Sequence, residues 1–150
     1  MAVKPIPAES EISALMGHLF AGGEYTIAHW ENFLLTDCTG AQLLPNGLAH
    51  PVALFHVPII GAGTSIAEMF ELGQAESDLS ILIESYDWEI FTSLREETNY
   101  QVSGKIISAK RCNNEQGQSY DRIQFCFELN HNKRLTARPT ITWHYTRNML

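Results

Sequence analysis

The stretch PVALFHVPIIGAGTSIAEMFEL, from Pro51 to Leu72, decides how the rest of the chain is read. Val52, Phe55, Ile59, Ala62, Ile66 and Met69 recur at steps of three and four, which is the period of one helical face. Pro51 suits the first position of a helix. Pro58 removes one backbone hydrogen bond and predicts a kink, and Gly73 predicts the end. The small residues Gly61-Ala62-Gly63-Thr64-Ser65 let such a helix approach a neighbouring surface closely. A helix this apolar on most sides is expected to be largely buried, as a long central element.

Downstream of residue 78 the period changes to two. Leu79, Ile81 and Ile83 alternate with Ser80, Leu82 and Glu84. The same alternation runs through Tyr100, Val102, Gly104 and Ile106, through Ile123, Phe125, Phe127 and Leu129, and through Ile141, Trp143 and Tyr145. Four strands with one apolar face each predict an antiparallel sheet. Asn113 to Gly117 and Asn130 to Lys133 have the length and composition of hairpin connections. Upstream, residues 1–8 read as a loose arm because of Pro5 and Pro7, and Glu9 to Phe20 as a short helix ended by Gly22-Gly23. Glu24 to Ala28 reads as a strand. Trp30 to Cys38 reads as a helix with Trp30, Phe33, Leu34 and Cys38 on one side, followed by a turn at Pro45-Asn46-Gly47. The expectation is an α+β hotdog fold, an antiparallel sheet wrapped around a long central helix, in one domain over residues 1–150 with an arm and short helix at 1–23. Another α+β sandwich with a helix on one face is the alternative.

Composition narrows the function classes. Of 150 residues, 45% are apolar and 18% charged, as in an ordinary soluble globular protein. The formal charge of −7, with ten basic residues in no block, argues against nucleic acid and anionic membrane as partners. No apolar run approaches the roughly 20 residues that span a bilayer, and the N-terminal residues lack the apolar stretch of a signal peptide. Three cysteines (Cys38, Cys112, Cys126) with no CxxC fit a reducing compartment, so a cytoplasmic location is expected. No metal is expected, because the six histidines show no ligand spacing. No cofactor is expected either, since no GxGxxG, P-loop or GxSxG occurs.

Several segments resemble MaoC-like hotdog domains over roughly residues 24–147. Tyr25-Thr26 and the helix around Trp30 and Phe33 are similar to that family's first strand and short helix. Gly47-Leu48-Ala49-His50-Pro51 is similar to its loop into the central helix, Leu94 to Gly104 to its turn into a long strand, and Ile141 to Arg147 to its last strand. The resemblance implies paired subunits that bind an acyl thioester of coenzyme A or acyl carrier protein. It also implies enoyl-thioester hydratase or 3-hydroxyacyl-thioester dehydratase chemistry, a lyase activity. The family's acid/base dyad is an Asp and a His five residues later, in an Asp-x-Asn-Pro-x-His motif. Here Asp37 is followed at that spacing by Gln42, and Thr39-Gly40 replace Asn-Pro. Glutamine orients a water without taking its proton.

The candidates therefore carry two readings each. Asp37 is a general base or a solvated carboxylate at a helix end. His50 is a substitute acid/base or a structural contact at the start of the buried helix. Asn46 and Gly47 present an amide and a free N–H to a thioester carbonyl, or form a plain turn. His56, with Gln42, is expected to face the substrate. His56 and Glu68 also resemble the His and acid of the FabA/FabZ dehydratases, at a spacing two residues shorter. The incomplete dyad leaves two further functions open: a non-catalytic acyl-thioester-binding or partner subunit, and a thioesterase using an acid such as Glu68.

Overall fold

A computed structural model describes residues 4–147; the expected arm at 1–8 falls partly on residues 1–3, which lie outside the described residues. A five-stranded antiparallel sheet has the order β1-β3-β4-β5-β2, with β1 Gly23–Thr26, β2 Ile81–Ile90, β3 Asn99–Asn113, β4 Ser119–His131 and β5 Arg134–Thr146. The period-two reading holds for the three inner strands. Tyr100, Val102, Ile106, Ile123, Phe125, Phe127, Leu129, Ile141, Trp143 and Tyr145 are all buried on one face. Both hairpins form as expected, and the second turns at Asn132 and Lys133, each with positive φ (48° and 61°), the geometry that joins two twisted strands in two residues. β2 departs from the expectation. Of the expected residues Ile81 packs against the core, but Leu79 and Ile83 are exposed, and beyond a bulge between Ile83 and Ser85 the alternation is shifted so that Tyr86 and Trp88 pack against the core.

The stretch Pro51–Leu72 is helical, but it is not one long helix. It is a 3₁₀ turn, Pro51–Phe55, then α3, Val57–Gly61, then α4, Ile66–Leu72. Pro58 explains the first break. It has no N–H to continue a helix, and it sits in the opening turn of α3, where none is needed. Gly63, at φ +75°, makes the second break, and the Ser65 hydroxyl restarts the helix by accepting from Glu68 N at 3.1 Å. The predicted stripe survives in part: Ile59, Ala62 and Met69 are buried, whereas Phe55 and Ile66 are about half exposed. The small residues act as expected. A Cβ on Gly61 would lie 2.6 Å from Val102 Cγ2, so α3 rests directly on the sheet.

Two upstream elements also differ from the reading. The helix predicted over 9–20 is α1, Glu9–Ser13, only. Beyond it Gly17 adopts φ +87°, and residues 17–20 run beside β3, with Gly17 N donating to Ile106 O at 2.8 Å and Phe20 N to Gly104 O at 2.9 Å. Helix α2, His29–Cys38, stands where expected but faces the other way. Its buried residues are Asn32 and Thr36, while Trp30, Phe33, Leu34 and Cys38 are exposed. At the far end of the sheet, Arg147 and Arg111 both pair with the fully buried Asp121, at 2.7 and 2.8 Å. Arg147 also donates to the carbonyls of Gly73 and Gln74 at the end of α4, and Arg111 to Pro7 O. Among the described residues no helix is long and apolar enough to cross a membrane.

Candidate functional site

Three side chains from three elements converge where β1, α2 and α3 meet. The link from β1 to α2 is only Ile27-Ala28, so Tyr25 and Glu31 are held close together. Glu31 lies in the first turn of α2, where the helix dipole favours an anion. His56 sits at the junction between the 3₁₀ turn and α3, with φ −116°, and its orientation follows from the break that Pro58 imposes. Its Nε2 is 3.0 Å from Glu31 Oε1. The Tyr25 hydroxyl donates to Glu31, at 2.7 Å from Oε1 and 3.0 Å from Oε2, and its oxygen is 3.4 Å from His56 Nε2. The two rings stand edge to face, 5.9 Å apart. The Glu31 side chain is 12% exposed and that of His56 31%, so the pair is sheltered yet reachable. Burial, and then the neighbouring Glu31 carboxylate, push the Tyr25 phenol well above its ordinary range, which keeps it a proton donor.

The residues named from the sequence fall in different places. His50 Nδ1 accepts from Val52 N at 3.0 Å and His50 N donates to Asn32 Oδ1 at 3.0 Å, so the ring caps the 3₁₀ turn. That is its structural reading. Asp37 and Gln42 line a shallow hollow of about 270 Å³ with Phe33, Thr36, Ala41 and Leu43. That hollow does not include His50, and His50 and Asp37 share no hydrogen bond among the described residues. Asn46 and Gly47 form a left-handed turn (φ 60° and 71°) whose carbonyls are taken by Arg95 Nη1 at 2.8 Å and Glu96 N at 2.9 Å. His56 and Glu68, linked in the sequence only by their resemblance to the FabA/FabZ residues, share no hydrogen bond among the described residues. Glu68 accepts from Thr64 at 2.9 Å in a hollow of about 470 Å³ lined by His18, Phe20 and Glu71, and the partner of His56 is Glu31.

A second polar network holds this region in place. Asn32, 2% exposed, donates to Leu48 O at 3.1 Å and Glu96 Oε2 at 2.9 Å while accepting from His50 N. Glu96 also meets His29 Nδ1 at 2.9 Å, and these donors, Asn32 first, draw its carboxyl below the usual range. Glu31 and Tyr25 were missed in the sequence because the pairing spans 25 and 31 positions from His56. The available signal was an acid in the first turn of a helix that follows a strand after only two residues. No group of three His, Cys, Asp or Glu among the described residues is placed to hold a metal ion.

No protein-family model and no curated protein matches the chain. Solved structures do. The ChsH1-ChsH2 complex from Mycobacterium tuberculosis aligns with a TM-score of 0.67 at 8% identity, over 94% of this chain and 90% of that one. The HadBC (3R-hydroxyacyl-ACP dehydratase) complex from the same organism aligns with a TM-score of 0.64 at 9% identity, over 87% and 96%. A MaoC-like dehydratase from Phytophthora capsici aligns with a TM-score of 0.62 at 12% identity, over 96% of this chain, which spans about half (51%) of that protein. At these identities the likeness shows the fold: this chain has the hotdog fold of MaoC-like structures.

Proposed function

We propose that the chain handles acyl thioesters of coenzyme A or acyl carrier protein, and that it adds water to an enoyl thioester or removes it from a 3-hydroxyacyl thioester. One observation carries this reading: on a MaoC-like hotdog frame, where the family's dyad is incomplete, a carboxylate and a sheltered histidine meet at 3.0 Å, Glu31 with His56. In the hydration direction the imidazole takes a proton from water as the C3–O bond forms. The C2–C3 π electrons shift to C2 and onto the thioester carbonyl, and the imidazolium then returns the proton to C2, so one water is consumed and no group is left over. Asp37 and His50, the acid/base pair read from the sequence, are replaced in this proposal by Glu31 and His56. Gln42, Asn46 and Gly47 keep a supporting part as the loop bordering α2. The reading takes the chain as one domain at work in the cytoplasm, paired with a second hotdog subunit along β2.

Incubation with crotonyl-coenzyme A, followed by loss of the enoyl absorbance, tests the activity. His56→Ala is expected to lower kcat/KM by about 10²–10⁴-fold and Asp37→Asn to leave it unchanged. Full activity in His56→Ala would overturn the site, and release of free thiol instead of hydration would replace the reaction with thioester hydrolysis. The second reading is a non-catalytic partner subunit. What favours it is the outward apolar face of α2, where Trp30 is 67% and Leu34 52% exposed, a surface suited to another protein. No turnover, together with a raised Tm in the presence of acyl-coenzyme A, would select it.

A further inference from the structure

We propose that Tyr25 and Glu31 are positioning residues that fix the proton of His56 on Nε2, so that Nδ1 is the nitrogen that exchanges a proton with substrate. The inference rests on the reading above that His56 is the acid/base, but its test does not need turnover. Two groups face Nε2, the Glu31 carboxylate at 3.0 Å and the Tyr25 oxygen at 3.4 Å. An ionised carboxylate only accepts. The Tyr25 hydroxyl has one proton, and it is directed to the carboxylate, whose two oxygens lie at 2.7 and 3.0 Å, both nearer than the ring nitrogen. Both neighbours of Nε2 are therefore acceptors, and the proton of the neutral ring belongs on Nε2. Nδ1 is left bare, able to take a proton from water and give it back. The direction of the Tyr25 phenol, held protonated, agrees with this.

The packing makes the arrangement rigid. Tyr25 is registered opposite Tyr100 in the β1–β3 pair, and its Cβ would lie 3.3 Å from a Cβ placed on Gly61, so its stem is wedged between sheet and α3. Glu31 is anchored by the first turn of α2 and His56 by the backbone break before Pro58. The unit has the logic of a histidine oriented by a carboxylate, with a tyrosine added to hold both oxygens of the carboxylate.

Nuclear magnetic resonance on the full chain, with ¹⁵N-labelled histidine and the His56 signals assigned by their loss in His56→Gln, reads the proton directly. The expected result in the neutral form is a protonated Nε2, an unprotonated Nδ1 and a ring N–H proton slow enough in exchange to be observed. Glu31→Gln is expected to abolish that slow proton, and Tyr25→Phe to broaden it. With crotonyl-coenzyme A, Tyr25→Phe is expected to lower kcat about tenfold with KM unchanged, since it orients the base without touching substrate. A proton on Nδ1, or a ring N–H indifferent to Glu31→Gln, overturns the inference. The wild-type spectrum decides the tautomer even if a variant fails to fold. A chain with the expected spectrum and no hydratase activity would retain the positioned histidine and lose only the proposed reaction.

Discussion

Asn32 shows how much a single side chain organises here. It is buried, it is polar, and its amide ties α2 to the loop before the 3₁₀ turn and to Glu96. Asn32→Ala leaves a backbone N–H, a carbonyl and a carboxylate short of partners. It is expected to cost about 2–3 kcal/mol, read as a lower urea midpoint at unchanged slope. Glu84 makes a different kind of prediction. Hydrogen bonds from Arg122, and then from His144, lower its carboxyl from the ordinary 4.5 to about 2. A folded value below the unfolded one means a contribution fully present above about pH 4.5 and lost as the pH falls towards 2. Glu84→Gln removes that contribution, so it should lower Tm at neutral pH, leave Tm near pH 2 almost unchanged, and thereby flatten the acid limb of the Tm-against-pH curve. The pairing of Glu31 with His56 was not legible in the sequence for the same reason that Asn32 was not. In each case the partner comes from a distant segment, and a carboxylate or amide on a helix face looks solvated until that segment is placed.

At the level of elements, legibility followed the physics of each pattern. The strands β3, β4 and β5 could be read because each lies in a half-buried sheet, and a period of two in a half-buried sheet has one meaning. The helical stripe at 51–72 was equally periodic, yet Pro58 and Gly63 divided it. Periodicity records which side is apolar, and it does not record whether the backbone between two apolar residues is continuous. Helix α2 was placed correctly and turned the wrong way, since hydrophobicity alone does not reveal that Leu48, His50 and Glu96 supply partners for a polar inner face. The close seat of α3 gives a sharp test at this scale. Gly61→Ala must push Val102 or the helix aside, and a loss of about 1–3 kcal/mol with a matching fall in Tm is expected. An unchanged Tm would mean that α3 does not rest on the sheet as described.

For the molecule as a whole, the two edges of the sheet matter most. β2 is an edge strand with Leu82, Ile83 and Ile90 exposed, a surface that a second sheet would protect. Ile83→Lys places a charge there. It is expected to convert a dimer into a monomer in analytical ultracentrifugation while leaving the far-ultraviolet circular dichroism unchanged, and a wild-type chain that sediments as a monomer would remove the pairing from the proposed function. The strand order has a further consequence. Among the described residues β2 pairs with β5 alone, and β1 with β3 alone. During translation, β2 leaves the ribosome roughly forty residues before β5 begins, and at ~5–20 residues per second its apolar flank waits several seconds for the strand that will cover it. The period of greatest exposure thus falls in biosynthesis, when a nascent chain holds out an unmatched edge and the neighbour that will close it has yet to be made.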